Sequence, residues 1–126
     1  MTYLLDTTVL IDHSLGLDPA ARLLRRLFEE GHDLLTCDVI AAESLSGGTD
    51  DQRRAIAILL DALEYVSTTP DAARWAGDAR RQRGATSHRT LGDALIAGVA
   101  RSNDATLVTR NPRDFEAQGV RVMVYG

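Results

Sequence analysis

Hydrophobic and polar residues follow two patterns along this chain, with short apolar runs alternating with longer amphipathic stretches. The apolar runs predict strands at 3–5, 34–36, 65–66, 106–109 and 121–125. The amphipathic stretches predict helices at 19–30, 38–46, 50–64, 70–84 and 91–102. Strands separated by helices in this way predict an α/β fold with a central, mainly parallel sheet and helices on both faces.

Residues that favour helix ends support several of these boundaries. Asp18 is predicted to be the N-cap of the first helix, and Gly31 follows its last turn. Asp38 is predicted to cap the next helix, and either Thr49 or Asp50 the one after it.

The sequence AIAILLDAL at 55–63 is hydrophobic around most of the circumference of its predicted helix. Packing in the core accounts for one apolar face of such a helix. The second apolar face predicts contact with a partner subunit, and hence a homodimer.

The length of 126 residues fits one domain, 1–126, with a single hydrophobic core. The longest uncharged apolar run, 94–100, is far too short to span a bilayer. The N-terminal residues are strand-like and include an acid at Asp6, which is unlike a signal peptide. The single cysteine, Cys37, cannot form an intramolecular disulfide, which fits a reducing compartment. These features predict a cytoplasmic protein.

The charge pattern argues against a general nucleic-acid-binding surface. The net charge is −4, whereas non-specific affinity for nucleic acids comes from basic groups that displace counterions from phosphates. All the basic residues apart from histidine are Arg and none is Lys, a bias that compositional preference explains for most of the chain. Arg110 and Arg113 differ because they flank Asp114 in sequence, where an Arg can steady negative charge on a phosphate.

Four acidic residues occupy positions where an α/β enzyme places metal ligands. Asp6 closes the first strand, Glu43 lies inside an apolar helix, Asp93 opens a helix and Asp114 follows the strand at 106–109. Ligands of open α/β sheets bind beyond the carboxyl ends of the strands, and carboxylates that converge there repel one another unless a cation neutralises them. The pattern therefore predicts a Mg²⁺-dependent enzyme.

Each acid except Glu43 also has a structural interpretation. The segments TLGD, ending at Asp93, and NPRD, ending at Asp114, both have the form of a capping box. Asp6, followed by two threonines, fits an Asx-turn. Glu43 lies too deep in its predicted helix to reach a free backbone amide. The four positions taken together favour a ligand role.

Other kinds of site have little support. The three histidines, His13, His32 and His88, are isolated and there is no second cysteine, which argues against a zinc site. Neither a glycine-rich phosphate loop nor a nucleophile elbow is present in the sequence.

Three alternative functions belong to other classes. A Mg²⁺-binding receiver-like domain has a similar length and acidic pocket, but it needs a lysine, and this chain has none. A phosphatase of the haloacid dehalogenase type needs a second Asp two residues after the first, where Thr8 stands. A non-catalytic partner-binding α/β module would use its acids only as helix caps, and Glu43 is the main argument against it.

Four segments, in order, resemble one family: YLLDTTVLID, IAAESLSG, RTLGDALIAGVA and LVTRNPRDFE. Together they are similar to the PIN-domain ribonucleases, and specifically to the short VapC toxins of bacterial toxin–antitoxin pairs. The resemblance extends from residue 3 to residue 124 and implies a PIN-like fold and an endoribonuclease activity. It also implies a VapB-like antitoxin that wraps the toxin and pushes an Arg or Lys into the acidic pocket.

By this resemblance, Mg²⁺ or Mn²⁺ is the cofactor and RNA the substrate, with 5′-phosphate and 3′-hydroxyl product ends. The implied metal ligands are Asp6, Glu43, Asp93 and Asp114, and the implied supporting residues are Thr7, Thr109, Asn111, Arg110 and Arg113. Mg²⁺ typically takes one or two direct carboxylates, and we expect these to be Asp6 and Asp93. The family usually has Asn, sometimes Ser, where this chain has Thr8. A hydroxyl there replaces part of an amide contact, which predicts a change of rate more than of reaction type.

Overall fold

The structure of the chain is a computed structural model that describes residues 1–84 and 91–126. The sequence predicts a loop at 85–89. This segment, which includes His88, and Thr90, the first residue of the TLGD segment, lie outside the described residues.

Five strands and seven helices form within the described residues. The strands are β1 (Thr2–Leu5), β2 (Asp33–Cys37), β3 (Glu64–Val66), β4 (Thr106–Thr109) and β5 (Val122–Val124). The helices are α1 (Thr7–Ser14), α2 (Asp18–Glu29), α3 (Asp38–Leu45), α4 (Asp50–Asp61), α5 (Pro70–Gln82), α6 (Leu91–Ser102) and α7 (Arg113–Glu116).

The sheet has the order β3-β2-β1-β4-β5, and each neighbouring pair is parallel. The chain therefore moves from β1 outward to β3, crosses back, and continues outward from β4 to β5. Helix α1 contacts α2, α3 and α4, and α5 contacts α6. This grouping is expected when right-handed crossovers place α1–α4 on one face of the sheet and α5 and α6 on the other. The direction of winding reverses between β1 and β4, which is the position where open α/β sheets bind their ligands.

The two central strands are buried on both faces, as expected for a parallel sheet covered by helices. Leu4 and Leu5 of β1, and Leu107 and Val108 of β4, have no exposed surface. Their unbroken apolar sequence explains why short runs of residues sufficed to predict these strands. The predicted mainly parallel α/β fold is confirmed.

Most of the predicted boundaries are confirmed to within a few residues, and two elements, α6 and β4, begin and end as predicted. Thr49 is the N-cap of α4, where its side chain and that of Gln52 form a reciprocal capping box. Gly31 follows α2 with a φ of 72°, as a residue after a helix end often does. The helix predicted for 50–64 stops at Asp61 because Glu64 pairs with Leu35 of β2.

Two predicted caps are wrong, and two helices, α1 and α7, are not among the five predicted ones. The N-caps of α2 and α3 are Leu17 and Cys37, so Asp18 and Asp38 each occupy the first turn. The side chain of Asp38 instead accepts hydrogen bonds from the backbone N–H and hydroxyl of Thr68, at 3.1 and 2.7 Å. Helix α1 occupies residues for which the sequence predicted only a turn.

The apolar sequence at 55–63 has the two faces expected of it. Ile56, Leu59 and Leu63 are buried in the core, whereas Ile58 is 72% exposed on the opposite side of α4. None of the helices in the described part of the chain combines the length and apolar character needed to cross a membrane.

Candidate active site

Asp6 lies at the reversal point of the sheet, immediately after β1. Its backbone N–H donates to the carbonyl oxygen of Val108 in β4, at 2.9 Å, which holds it against the end of the neighbouring strand. The carboxylate is buried, and its Oδ2 atom accepts hydrogen bonds from the hydroxyls of Thr109, at 2.8 Å, and Thr8, at 3.2 Å. Burial raises the pKa of Asp6, and these hydrogen bonds offset only part of that effect.

The sequence predicted an Asx-turn at Asp6, in which the side chain would bond to the backbone N–H two residues on, and this bond is absent. Asp6 is the N-cap of α1, but its side chain makes no capping hydrogen bond to that helix. The carboxylate faces the end of β4 instead, where Thr109 donates to it. The contacts with β4 therefore position the Asp6 carboxylate, and helix capping does not.

Two threonine hydroxyls connect Asp6 to the loop after β4. The backbone N–H of Arg110 donates to Thr8 Oγ1 at 3.2 Å, and that of Asn111 donates to Thr109 Oγ1 at 3.0 Å. Each hydroxyl therefore accepts from the loop while it donates to the carboxylate. Thr8 thus makes a defined contact at the position where the resemblance predicted a missing amide. Asn111 contributes a backbone group to this network.

Glu43 projects from the exposed side of α3 toward two other helices. The hydroxyl of Thr7, the first residue of α1, donates to Glu43 Oε1 at 2.8 Å. The other oxygen, Oε2, lies against Gly92 in the first turn of α6. Glu43 therefore joins three helices that are far apart in sequence, although α3 itself gives it no capping role.

The pKa of Asp93 is affected by all three of the other predicted acids. Burial raises the pKa of this half-buried carboxyl to about 7, with smaller contributions in the same direction from Asp114, Asp6 and Glu43. Arg83 opposes them. Since carboxylates influence one another in this way only at short range, the structure brings all four predicted acids into one electrostatic neighbourhood.

Asp114 is exposed in α7, where the sequence predicted a capping box with Asn111. That prediction is wrong, because the N-cap is Pro112 and no side chain caps the helix. The side chain of Gln118 donates from Nε2 to the backbone oxygen of Asp114, at 2.7 Å, and so braces this helix. Arg113, which precedes Asp114, is also exposed.

The donor atoms of the site suit a hard divalent cation. All four predicted ligands are carboxylates, and Mg²⁺ and Mn²⁺ prefer oxygen ligands. Across residues 1–84 and 91–126, however, no three His, Cys, Asp or Glu side chains are placed so that they could hold one ion together. The described side chains therefore do not form a closed cage around one ion.

Arg110 has a partner that the sequence did not reveal. Its guanidinium forms a two-point ion pair with the buried carboxylate of Asp12, with Nε–Oδ2 at 2.9 Å and a second contact to Oδ1 at 3.1 Å. The hydroxyl of Tyr125 also donates to Asp12 Oδ2, at 2.8 Å. Burial and this hydrogen bond raise the pKa of Tyr125 to about 12. The guanidinium expected to steady a phosphate is instead directed at Asp12, and it ties α1 to the loop after β4.

The sequence itself contains one sign that Asp12 has a partner. Asp12 lies among apolar residues in the segment VLID, and an acid inside a buried run requires a partner.

Asp12→Ala should lower the free energy of unfolding by about 2 kcal/mol, because Arg110 and Tyr125 both lose a charged acceptor. The partial exposure of Arg110 limits the loss, since water can solvate its guanidinium. Urea unfolding followed by circular dichroism measures the effect. Asp12→Asn is the matched control and should lose less, because its amide oxygen still accepts a hydrogen bond. Equal losses in the two variants would contradict the account.

The sequence of this chain matches a known family and a known ribonuclease. The PIN domain family profile matches residues 3–119. Ribonuclease VapC19 from Mycobacterium tuberculosis is 36% identical over 115 residues, which cover 89% of this chain and 90% of that protein.

Two solved structures share the fold over nearly the whole chain. VapBC2 from Rickettsia felis, crystallised with a DNA fragment from its promoter, has a TM-score of 0.81 at 21% identity and covers 100% of both chains. DNA-bound VapBC from Salmonella typhimurium has a TM-score of 0.76 at 23% identity and covers 98% of both chains. At this level of identity, these structures support the fold alone.

Proposed function

This chain belongs to the PIN-domain family, and from that premise we propose that it is a metal-dependent endoribonuclease, the toxin of a VapBC-type toxin–antitoxin pair. Its similarity to Ribonuclease VapC19 supports the ribonuclease activity. The observation that carries the proposal is the convergence of Asp6, Glu43 and Asp114 on Asp93, whose pKa rises to about 7. Clustered carboxylates with perturbed pKa values at the reversal point of a parallel sheet are typical of an active site.

We assign Asp6 and Asp93 as the direct ligands of a Mg²⁺ or Mn²⁺ ion. Glu43 and Asp114 would then hydrogen-bond water at the site or hold a second ion. When bound, the cation would neutralise the carboxylates and the phosphate and would lower the pKa of the attacking water.

The chain's own groups have separate tasks in this proposal. The hydroxyls of Thr8 and Thr109 fix the orientation of the Asp6 carboxylate. Glu43, with its carboxylate held by Thr7, accepts the proton of the attacking water. Arg113 is exposed and stabilises negative charge on the phosphate. Arg110 is less suited to this role because its guanidinium is paired with Asp12. Because water is the nucleophile, the expected products carry a 5′-phosphate and a 3′-hydroxyl.

The non-catalytic alternative requires that the acids serve as helix caps. Neither Asp6 nor Asp114 caps a helix through its side chain. The carboxylate of Glu43 likewise lies far from the start of its own helix and contacts α1 instead. The receiver-like alternative still lacks its lysine. The nuclease proposal accounts for the carboxylates that these alternatives leave unexplained.

Purified protein should cut mixed RNA in Mg²⁺ or Mn²⁺ and leave it intact in EDTA, because removal of the cation leaves the carboxylates unneutralised. Denaturing gels give the rate, and the ability of the fragments to be ligated reports a 5′-phosphate. A variant with all four acids replaced by their amides is the control for contaminating nucleases. Cleavage that persists in EDTA or in this variant would refute the proposal.

We also propose a VapB-like antitoxin as the protein partner. The similar structures from Rickettsia felis and Salmonella typhimurium are VapBC complexes. The negative potential around Asp93 suits an Arg or Lys of an antitoxin tail. An apolar depression lined in part by Ile11, Leu15 and Ile56 borders Glu43, and it would accept apolar side chains from the same tail.

A homodimer remains our proposal for the quaternary structure, with Ile58 of α4 in its interface. Ile58→Asp should convert a dimer to a monomer, because it places a charge in the centre of an apolar contact. Light scattering coupled to size-exclusion chromatography measures the mass. Ala73→Asp, at an exposed position of α5, is a control for one added negative charge. A dimer that survives Ile58→Asp would exclude this face as the interface.

A further inference from the structure

Glu43 is exposed on α3, yet both of its carboxylate oxygens have a close neighbour. Oε1 accepts the hydroxyl hydrogen of Thr7 at 2.8 Å. Oε2 lies only 2.4 Å from the position that a Cβ atom on Gly92 would occupy. We propose that Gly92 is a positioning residue, whose missing side chain leaves the space that the Glu43 carboxylate fills beside Asp93. The proposal rests on the nuclease function proposed above.

The backbone gives no other reason for a glycine at this position. Gly92 is absent from the residues with positive φ, so its conformation is open to residues with side chains. It lies in the first turn of α6, where a glycine is less favourable than an alanine. The feature that favours glycine here is the space next to Glu43.

A side chain at Gly92 would displace the carboxylate and leave the helix in place. The atom in the way is the end of a flexible, exposed side chain, which moves at much lower cost than the backbone of α6. The displaced carboxylate would move away from Gly92 and strain or break its hydrogen bond with Thr7. A misplacement of about 1 Å can reduce catalysis by about 100-fold.

Helix α5 supplies a matched control. Gly77 is also a helical glycine with an ordinary φ, but a Cβ built there meets nothing within 4 Å. Gly92→Ala and Gly77→Ala therefore make the same chemical change, and only the first meets a carboxylate.

We expect Gly92→Ala to lower the rate of RNA cleavage by about 10- to 100-fold. Its Tm should stay the same or rise by about 2 °C, since alanine favours the helix. Gly77→Ala should keep the cleavage rate of the parent protein. In a Glu43→Gln background, Gly92→Ala should cause no further loss of cleavage, because the group that it displaces no longer acts.

A second measurement needs neither metal nor activity. In protein labelled with ¹³C at the side-chain carboxyl of glutamate, the Glu43 resonance is the one that disappears in Glu43→Gln. In the metal-free protein, Gly92→Ala and Thr7→Val should shift that resonance, whereas Gly77→Ala should leave it unchanged.

The outcomes separate this proposal from the nuclease function on which it rests. If Glu43→Gln cuts RNA at the parental rate, the role of Glu43 in the nuclease proposal fails. If Glu43→Gln is impaired while Gly92→Ala matches Gly77→Ala in rate and resonance, the positioning role of Gly92 is overturned. A lowered Tm in Gly92→Ala with an unshifted Glu43 resonance would overturn it too, because the helix would then have moved instead of the carboxylate.

Discussion

Asp93→Asn should lower metal-dependent RNA cleavage by at least about 1,000-fold, because it removes a charge that the proposed cation needs. The amide is nearly the same size as the carboxyl group and still offers a carbonyl oxygen as a hydrogen-bond acceptor. Circular dichroism should therefore show an intact fold. Asp61→Asn, at the exposed end of α4, is the matched control and should cut RNA at the parental rate.

The same variant should change how stability depends on pH when the metal is absent. The pKa of Asp93 rises from 3.8 to about 7 on folding, mainly through burial and then through Asp114, Asp6 and Glu43. A raised pKa means that the folded state binds the proton more tightly. Its contribution is fully present below about pH 4 and is lost as the pH rises toward 7. Because Asp93 is only half-buried, solvent screening limits the effect to about 1 kcal/mol.

Urea unfolding in EDTA at about pH 5 and pH 8 measures this dependence. The parent protein should lose more stability than Asp93→Asn between the two pH values. An Asp93→Asn protein that cuts RNA at the parental rate would remove Asp93 from the metal site. If the stability of the two proteins depended on pH in the same way, the raised pKa of Asp93 would not be the source of this pH dependence.

The sequence predicted most of the fold because the apolar runs and amphipathic stretches correspond to buried strands and to buried helix faces in most of its elements. Strand β4 is buried along its whole length, with the apolar Leu107 and Val108 at its centre, and α4 begins with a capping box that its sequence displays. Helix α1 was missed because it begins Thr7-Thr8-Val9, and residues branched at Cβ are disfavoured in helices. Burial of Val9 and Leu10 in the core outweighs that preference. The energy of this burial depends on the tertiary structure and cannot be read from the local sequence.

In the candidate site, too, some residues could be predicted from local sequence and others depend on tertiary contacts. Asp6 was predictable because it ends a strand, and Glu43 because it has no local role in its helix. The ion pair of Asp12 was not predicted, since its partner Arg110 lies 98 residues away in sequence. The tight approach of Glu43 to Gly92 likewise depends on how α3 and α6 meet. Local sequence thus located the acids, whereas the groups that orient them come together only in the folded chain.

Glu43→Gln should reduce RNA cleavage by at least about 100-fold, because a catalytic carboxylate becomes an uncharged amide that cannot accept the proton of water. Its stability in EDTA should stay the same or rise by up to about 1 kcal/mol. Glu43 adds to the repulsion that raises the pKa of Asp93, so removing its charge relieves the folded state. The amide oxygen can still accept the hydrogen bond from Thr7.

Cleavage assays in Mn²⁺ and urea unfolding in EDTA measure both quantities on one preparation. Glu29→Gln, on the exposed face of α2, is the matched control and should change neither quantity. An exposed residue without a role would behave like Glu29, and a partner in a structural ion pair would lose stability when neutralised. A Glu43→Gln protein that lost stability but kept its cleavage rate would therefore show that Glu43 supports the fold and takes no part in the reaction.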